Sequence, residues 1–260
     1  MSLIVEKSKE VIDSFKVVFV AIVYLLARPR LYVFIIIPYL INTIIFILLF
    51  GLVFAFFNQQ INSLTSLLEF SGFWVEVINK TLKVLGTILA TVFTSFLLIS
   101  IALIIQSPFN SIITESILKE NNIEKKNDKA GIKFVIADIL RALEFEIVKL
   151  LIIAFVFIIT FALNFIPVIG SFLYLAINTL NIFFLNLLDL LDPSYNYVGF
   201  KVFKELKLTF KNISNYLGFG ILAYTVWGIP VINFLLMPIL YSSATIAFLK
   251  TYSRDTFSKS

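Results

Sequence analysis

The sequence predicts an all-α integral membrane protein: an N-terminal amphipathic helix, two long transmembrane helices, and two proline-broken, hemi-penetrating helical hairpins that enter the bilayer only part-way. Three observations carry this prediction. The 260-residue chain is 60% hydrophobic and 14% charged, against about 45–50% apolar and about 25% charged in an ordinary soluble domain. Two uncharged stretches are long enough to cross a bilayer. The tetrapeptide Ile-Pro-Val-Ile occurs at residues 166–169 and again at 229–232, each time interrupting an apolar segment.

The elements follow in chain order within a single membrane domain, residues 1–260. Residues 1–30 are expected to form an interfacial helix. Val11, Phe15, Val18 and Ile22 recur at helical spacing while Glu10, Asp13 and Lys16 take other faces, the pattern of a helix lying along a membrane surface. The same segment carries charges of both signs and lacks the basic start, apolar stretch and cleavage site of a secretory signal, so it is expected to stay on the mature protein. Residues 31–57, "LYVFIIIPYLINTIIFILLFGLVFAFF", hold no charge. At about 1.5 Å per residue they more than cross a hydrocarbon core roughly 30 Å thick. The uncharged run from Val84 to Ile105 meets "QSPFNS", and Pro108 is expected to end or kink a second span over 84–109. Between the spans, Asn58 to Lys83 reads as a short exposed loop or an interfacial helix.

The stretch "ESILKENNIEKKNDKAGIK" must lie in water. Beyond it Asp138, Arg141 and Glu144 fall at three-residue spacing on one helical face. A solvated ion-pair stripe is the expectation, with a translocation role as the alternative.

The hairpins occupy residues 133–192 and 216–249. Apolar arms of roughly 24 Å (Leu150 to Phe165) and about 20 Å (Tyr216 to Gly228) precede the two prolines, and neither crosses comfortably. Proline lacks an amide hydrogen and pushes the residue before it out of helical conformation. Around Pro167, Gly170 relieves the turn, and beside Pro230, Asn233 hydrogen-bonds freed backbone. Irregular backbone at membrane depth survives only when buried in protein or lining a water-filled cavity. These tips therefore point to a translocation path and to an oligomer that shields them; two ordinary full spans with tight turns are the alternative.

Lysine and arginine number five before Leu31, two in Asn58 to Lys83, seven from Asn110 to Lys149, four from Lys201 to Lys211 and three from Lys250 onward. With two spans and two hairpins, every group but the second lies on one side, predicted cytoplasmic together with both termini. The net charge of +5 is scattered beside apolar runs, which suits a membrane surface rather than nucleic acid. Lys201, Lys204, Lys207 and Lys211 read as an interfacial anchor.

No histidine and no cysteine occur, which removes the commonest metal ligands, the commonest general base and any thiol nucleophile. No nucleotide loop and no nucleophile–base spacing is recognisable either. The chain is expected not to be an enzyme, and to need no metal or cofactor. The polar residues within the apolar segments are Asn42, Thr43, Asn164, Asn178, Asn181, Asn186 and Asn233, with Asn178, Asn181, Asp189 and Asp192 near one helical face. Such residues either line a wet path or bond neighbouring helices; both readings stay open.

Four motifs occur in order: "RPRLYVFIIIPYLIN" (Arg28 to Asn42), "SPFNSIITE" (Ser107 to Glu115), "IPVIG" (Ile166 to Gly170) and "GFGILAYTVWGIPVINFLLMPILYSSAT" (Gly218 to Thr245). Together they resemble the CysZ-type sulfate permeases, which share a domain with the etoposide-induced membrane proteins. The resemblance runs from about Phe15 to Phe248. It implies an oligomeric inner-membrane protein with two spanning helices and two hemi-penetrating hairpins, moving sulfate or a related oxyanion inward for cysteine synthesis. It also implies an anion held where a Pro-Gly-Leu-Arg turn starts the first span, which here reads Pro29, Arg30, Leu31 and Tyr32, with Arg28 alongside. Arg30 thus stands in the glycine position and Tyr32 in the arginine position. In the family's Pro-Phe-Asn-Asp pattern, Asn110 is kept, Ser111 replaces the acid, and Glu115 matches the later acidic position.

The expected anion site is therefore Arg28, Arg30, Leu31 and Tyr32; for the two arginines the alternative is a topological anchor ahead of a span, reaching to lipid headgroups. The expected path residues are Asn42, Asn110, Glu115, Asn178 and Asn181, with channel-like or passively coupled transport. A structural, membrane-organising protein of the same fold is the rival expectation.

Overall fold

The structure is a computed structural model and describes residues 2–66, 73–125, 132–167, 169–227 and 229–257. Val168 of the first tip and Gly228 before the second lie outside the described residues. Among those described there are eight α-helices and no strand: α1 (Ser2–Leu26), α2 (Pro29–Ser66), α3 (Phe73–Glu120), α4 (Ile132–Leu163), α5 (Ile169–Tyr197), α6 (Val202–Lys211), α7 (Ile213–Trp227) and α8 (Pro230–Phe257). Four stretches among the described residues are long and apolar enough to cross a membrane: Pro29–Ser63, Glu76–Thr94, Ile139–Leu163 and Ile169–Tyr197. This is an all-α membrane protein.

The backbone divides into two compact units, residues 30–109 and residues 1–29 with 110–260. In the first, α2 and α3 turn long rows of bare apolar side chains outward, among them Ile47, Leu52, Val84 and Val92. Proline suits the start of α2, since an amide there has no intrahelical acceptor. On α3 a small-residue line, Gly86, Ala90 and Thr94, is buried, and Ile61 of α2 lies where a side chain at position 86 would go. Two sets of alternatives narrow here. Helix occupies most of Asn58 to Lys83, because α2 runs to Ser66 and α3 starts at Phe73. Pro108 does not end its helix: α3 continues through it to Glu120. Proline removes one backbone bond, and burial of Asn110, Ile113, Thr114, Ile117 and Leu118 beyond it holds the next turns in place.

In the second unit α5, α7 and α8 build the core, from Leu187, Leu191, Tyr195, Tyr216, Phe219, Leu240, Ala244 and Phe248, with Val17 and Leu118 closing it. The amphipathic α1 packs on α7 and α8, but its buried line is Ser14, Val17, Ala21 and Leu25, one position off the expected Val11, Phe15, Val18 and Ile22. The polar Ser14 explains the shift. Its Oγ donates to the Val11 carbonyl at 2.6 Å and accepts the Gly218 amide at 2.7 Å. A side chain at Gly218 would run into the backbone of Ser14 and Phe15, so glycine is what lets the two helices meet. The opposite face of α1 leaves Phe19, Val23 and Leu26 exposed, ready for lipid.

The arm α4 of the first hairpin is 32 residues long, taking in the charged helical segment before Leu150 as well as the apolar stretch, and its Arg141 and Lys149 are paired to neighbouring helices. The uncharged part of that arm remains the short stretch beyond Lys149. At the tip the Ile166 amide donates to the Leu163 carbonyl at 3.0 Å, Ile169 to Pro167 at 2.7 Å and Gly170 to Ile166 at 3.0 Å. Gly170 is buried, and a Cβ there would strike the Leu163 carbonyl; the tightness of the turn requires glycine.

The second hairpin keeps its short arm, the 15-residue α7, while α8 runs on to Phe257 through Pro238. Pro230 stands at the first position of α8, and the Asn233 amide donates to the Ile229 carbonyl at 2.8 Å.

Candidate functional site

Where α1 ends, Arg28 continues its last turn, its amide donating to the Leu25 carbonyl at 3.0 Å. One turn earlier on the same face, Tyr24 lies under the guanidinium, which sits 3.5 Å from the ring centroid. This stacking fixes the plane of the fork. The fork faces Glu120, the last residue of α3: Nε donates to Oε1 at 2.9 Å and to Oε2 at 2.8 Å, and Nη2 approaches Oε2 at 2.5 Å. The Tyr24 hydroxyl donates to the same Oε2 at 2.8 Å. Hydrogen bonds from Arg28 hold the Glu120 carboxyl below the usual carboxylate range against a smaller desolvation effect, while burial pushes the Tyr24 phenol up. With side chains 34% and 44% exposed, the pair is open to water and to dissolved ions. Both residues belong to the unit of α1 and α4–α8.

The end of α3 is closed by Asn122 in the left-handed region, φ 58°, with the Ile123 amide reaching back to the Leu118 carbonyl at 3.0 Å, an arrangement that satisfies last-turn carbonyls. One turn before Glu120, Glu115 takes Lys119 at 2.7 Å and Lys125 at 3.5 Å. Burial pushes the Glu115 carboxyl up, but the two lysines together outweigh it and hold it low.

Deeper in the same unit, hydroxyls link three helices: Ser194 of α5 donates to Thr245 of α8 at 3.3 Å, and Thr245 to Thr114 of α3 at 3.1 Å. One turn from Thr114, Asn110 is 3% exposed and its Oδ1 has no partner.

A second polar cluster ties α4, α5 and α6 together. Arg141 donates from Nη1 to Asp192 at 2.7 Å and from Nη2 to Glu205 at 2.9 Å; Lys149 donates to Asp189 at 2.6 Å. Glu205 is wholly buried with Oε1 unpartnered. Burial, then the charge of Asp192, pushes the Glu205 carboxyl up to about 9, Arg141 opposing. Arg141 therefore joins three helices instead of forming the expected solvated stripe; Glu144 is exposed, and the Asp138 side chain lies outside the described residues. Asp189 and Asp192 are likewise engaged by cations rather than left along an open stripe.

The remaining expected residues are dispersed. Arg30 is exposed, Leu31 is buried and Tyr32 is half-buried, all in the unit of residues 30–109. Asn42, in the same unit, is 2% exposed with neither amide atom partnered. On α5, Asn178 bonds back to the Tyr174 carbonyl at 2.8 Å, a local use of its amide, and Asn181 is half-buried. At the tips Pro167 is exposed and Asn233 is buried with Oδ1 unpartnered. Sequence reasoning missed Tyr24, Glu120, Thr114, Thr245 and Glu205. The first two looked like ordinary members of an amphipathic helix and a hydrated stretch.

Four bilayer-length apolar stretches among the described residues define a helical membrane protein. The family model for the sulfate transporter CysZ/etoposide-induced protein 2.4 matches residues 18–238. The chain belongs to this family, and is at that level a sulfate-transporter-like membrane protein.

Proposed function

We propose that the chain conducts sulfate or a related oxyanion across the inner or plasma membrane, channel-like or passively coupled, to supply sulfur assimilation. One observation carries the reading: a half-exposed arginine, planar and pre-oriented on Tyr24, already holds a two-oxygen anion in its fork. Guanidinium forks recognise oxyanions through such paired bonds, and the family match supports sulfate as the ion. Arg28 is the anion contact in this reading. The hydroxyls of Thr114, Thr245 and Ser194 offer neutral donors to replace hydration along a path. No chemical conversion of the ion is involved.

The bare apolar faces and irregular tips favour an oligomer, which covers them. The distribution of lysine and arginine favours both termini in the cytoplasm. A second reading, a membrane-organising protein that does not transport, draws support from Arg30 and Tyr32 standing where the family has glycine and arginine. Radiolabelled sulfate uptake into proteoliposomes separates the two. Saturable uptake by the wild type, lost in Arg28→Ala/Arg30→Ala and absent from empty vesicles, is expected; uptake no greater than that of empty vesicles by folded protein refutes transport.

A further inference from the structure

We propose that Tyr24 and Arg28 form an oxyanion seat and that Glu120 is its built-in competitor, a carboxylate of the chain itself that a solute anion must displace. The inference rests on the reading of Arg28 as the anion contact and adds how that contact is regulated.

The geometry is that of a receptor with its ligand in place. Three donors converge on one carboxylate: Nε and Nη2 of Arg28 and the hydroxyl of Tyr24. The two receptor residues come from consecutive turns at the end of α1, while the carboxylate comes from the far end of α3, 92 residues away. Seat and occupant therefore ride on different helices and can part without unfolding either one. The guanidinium plane does not depend on Glu120, because stacking on Tyr24 and a 3.3 Å bond from Nη1 to the Tyr24 carbonyl hold it on its own helix. An empty seat stays shaped.

The occupant is placed to be displaced. Glu120 is the last residue of α3, at the end of a helix where the peptide dipoles disfavour negative charge and favour cations. Its pair with Arg28 is partly exposed, and such pairs contribute little to stability. A sulfate ion presents two oxygens in the same bite as a carboxylate, carries twice the charge, and has further oxygens for the Tyr24 hydroxyl. It suits the three donors at least as well as the glutamate does. Glu120 in the seat also keeps an uncompensated arginine from binding whichever anion is most abundant, which makes occupancy selective for anions that hold the fork better than a carboxylate.

The test is isothermal titration of the detergent-purified full chain with sodium sulfate against a chloride background of constant ionic strength. Wild type, Glu120→Gln, Glu120→Ala, Arg28→Gln and Glu120→Gln/Tyr24→Phe are compared, with thermal unfolding to show that each is folded. Both Glu120 variants are expected to bind sulfate about tenfold more tightly than wild type, the scale of one charge-assisted hydrogen bond. The added Tyr24→Phe is expected to take part of that gain away. If Arg28→Gln loses binding while the Glu120 variants match or fall below wild type, the competitor is refuted and the arginine contact stands. If Arg28→Gln binds as wild type does, or no variant binds sulfate, the arginine contact itself fails and the competitor with it.

Discussion

The two hairpins share the turn sequence Ile-Pro-Val-Ile and almost nothing else. The arms of the α4–α5 hairpin are joined by charge as well as by an apolar cluster of Phe145, Leu185 and Leu188: Arg141 and Lys149 reach across to Asp192, Glu205 and Asp189. Beyond that level its arms are bare, with Phe155, Ile158, Phe165, Phe172 and Leu175 all exposed. The α7–α8 hairpin is held by packing: Tyr216, Phe219, Ala223, Met237, Leu240, Ala244 and Phe248 are buried within one core, and α1 lies along it. Proline and its neighbours dictate where the chain turns; the arms dictate what supports the turn. The first hairpin adds directed ionic bonds between its arms, and the second relies mainly on close fit. Helix association in lipid depends on these two forces, since lipid tails are as apolar as the side chains.

The sharpest way to break this contrast is Arg141→Met. It leaves the half-buried Asp192 without its cation and the wholly buried Glu205 without a donor, and removing one partner of a buried pair costs about 3–5 kcal/mol. Thermal unfolding in detergent is expected to show that loss, and Arg141→Met/Asp192→Asn is expected to recover part of it. The matching change in the second hairpin is Gly218→Val, which forces α7 off the backbone of Ser14 and Phe15 and takes the Ser14 bond with it. Overpacking of this kind costs about 1–3 kcal/mol. A Gly218 variant as stable as wild type would show that α1 is not seated on α7 as described.

Glu205→Gln has a smaller effect at neutral pH and a distinct signature. The carboxyl sits at about 9 in the folded chain against 4.5 in a free glutamate. Between those values the folded state keeps a proton that the unfolded state has lost, so this group's contribution to stability is full below the lower value and is lost as pH rises toward the higher one. Unfolding midpoints of the wild type are expected to fall across that window more steeply than those of Glu205→Gln, whose amide imitates the protonated acid. Identical slopes would place the retained proton on another carboxyl of the cluster.

What the sequence disclosed and withheld follows the same division. Apolar runs and the Ile-Pro breaks announced α2, α3 and both turns, because these depend on local composition and backbone chemistry. The proline at 108 reads as an end or a kink, and α3 does not end there, since tertiary burial of Ile113, Ile117 and Leu118 outweighs one lost backbone bond. The ionic cluster was hidden because its partners lie 40, 51 and 64 residues apart, whereas a single sequence reveals only neighbours three or four positions away, such as Asp138, Arg141 and Glu144. Arg28 was legible as a charge before a span. Its partners Tyr24 and Glu120 were not, for each has an unremarkable local setting and acquires its role from the meeting of two helix ends.

The depth of the tips is the remaining comparison, and it changes stability least. From Lys149 to the first tip the uncharged arm is about 25 Å long, and α7 measures about 22 Å, both short of a hydrocarbon core of roughly 30 Å. If the charged level of the first hairpin lies at the membrane surface, both tips end in lipid or protein. The bare apolar surface of Phe165, Ile166 and Ile169 fits lipid better than water. Because the chain has no cysteine, Ile166→Cys and Ile229→Cys each introduce a unique thiol. Both are expected to resist a membrane-impermeant maleimide applied to proteoliposomes from either side, and to react once detergent is added. Labelling of Ile166→Cys alone would mean that the charged pairs of α4 and α5 lie within the bilayer and the first hairpin crosses it, leaving only the packed hairpin embedded.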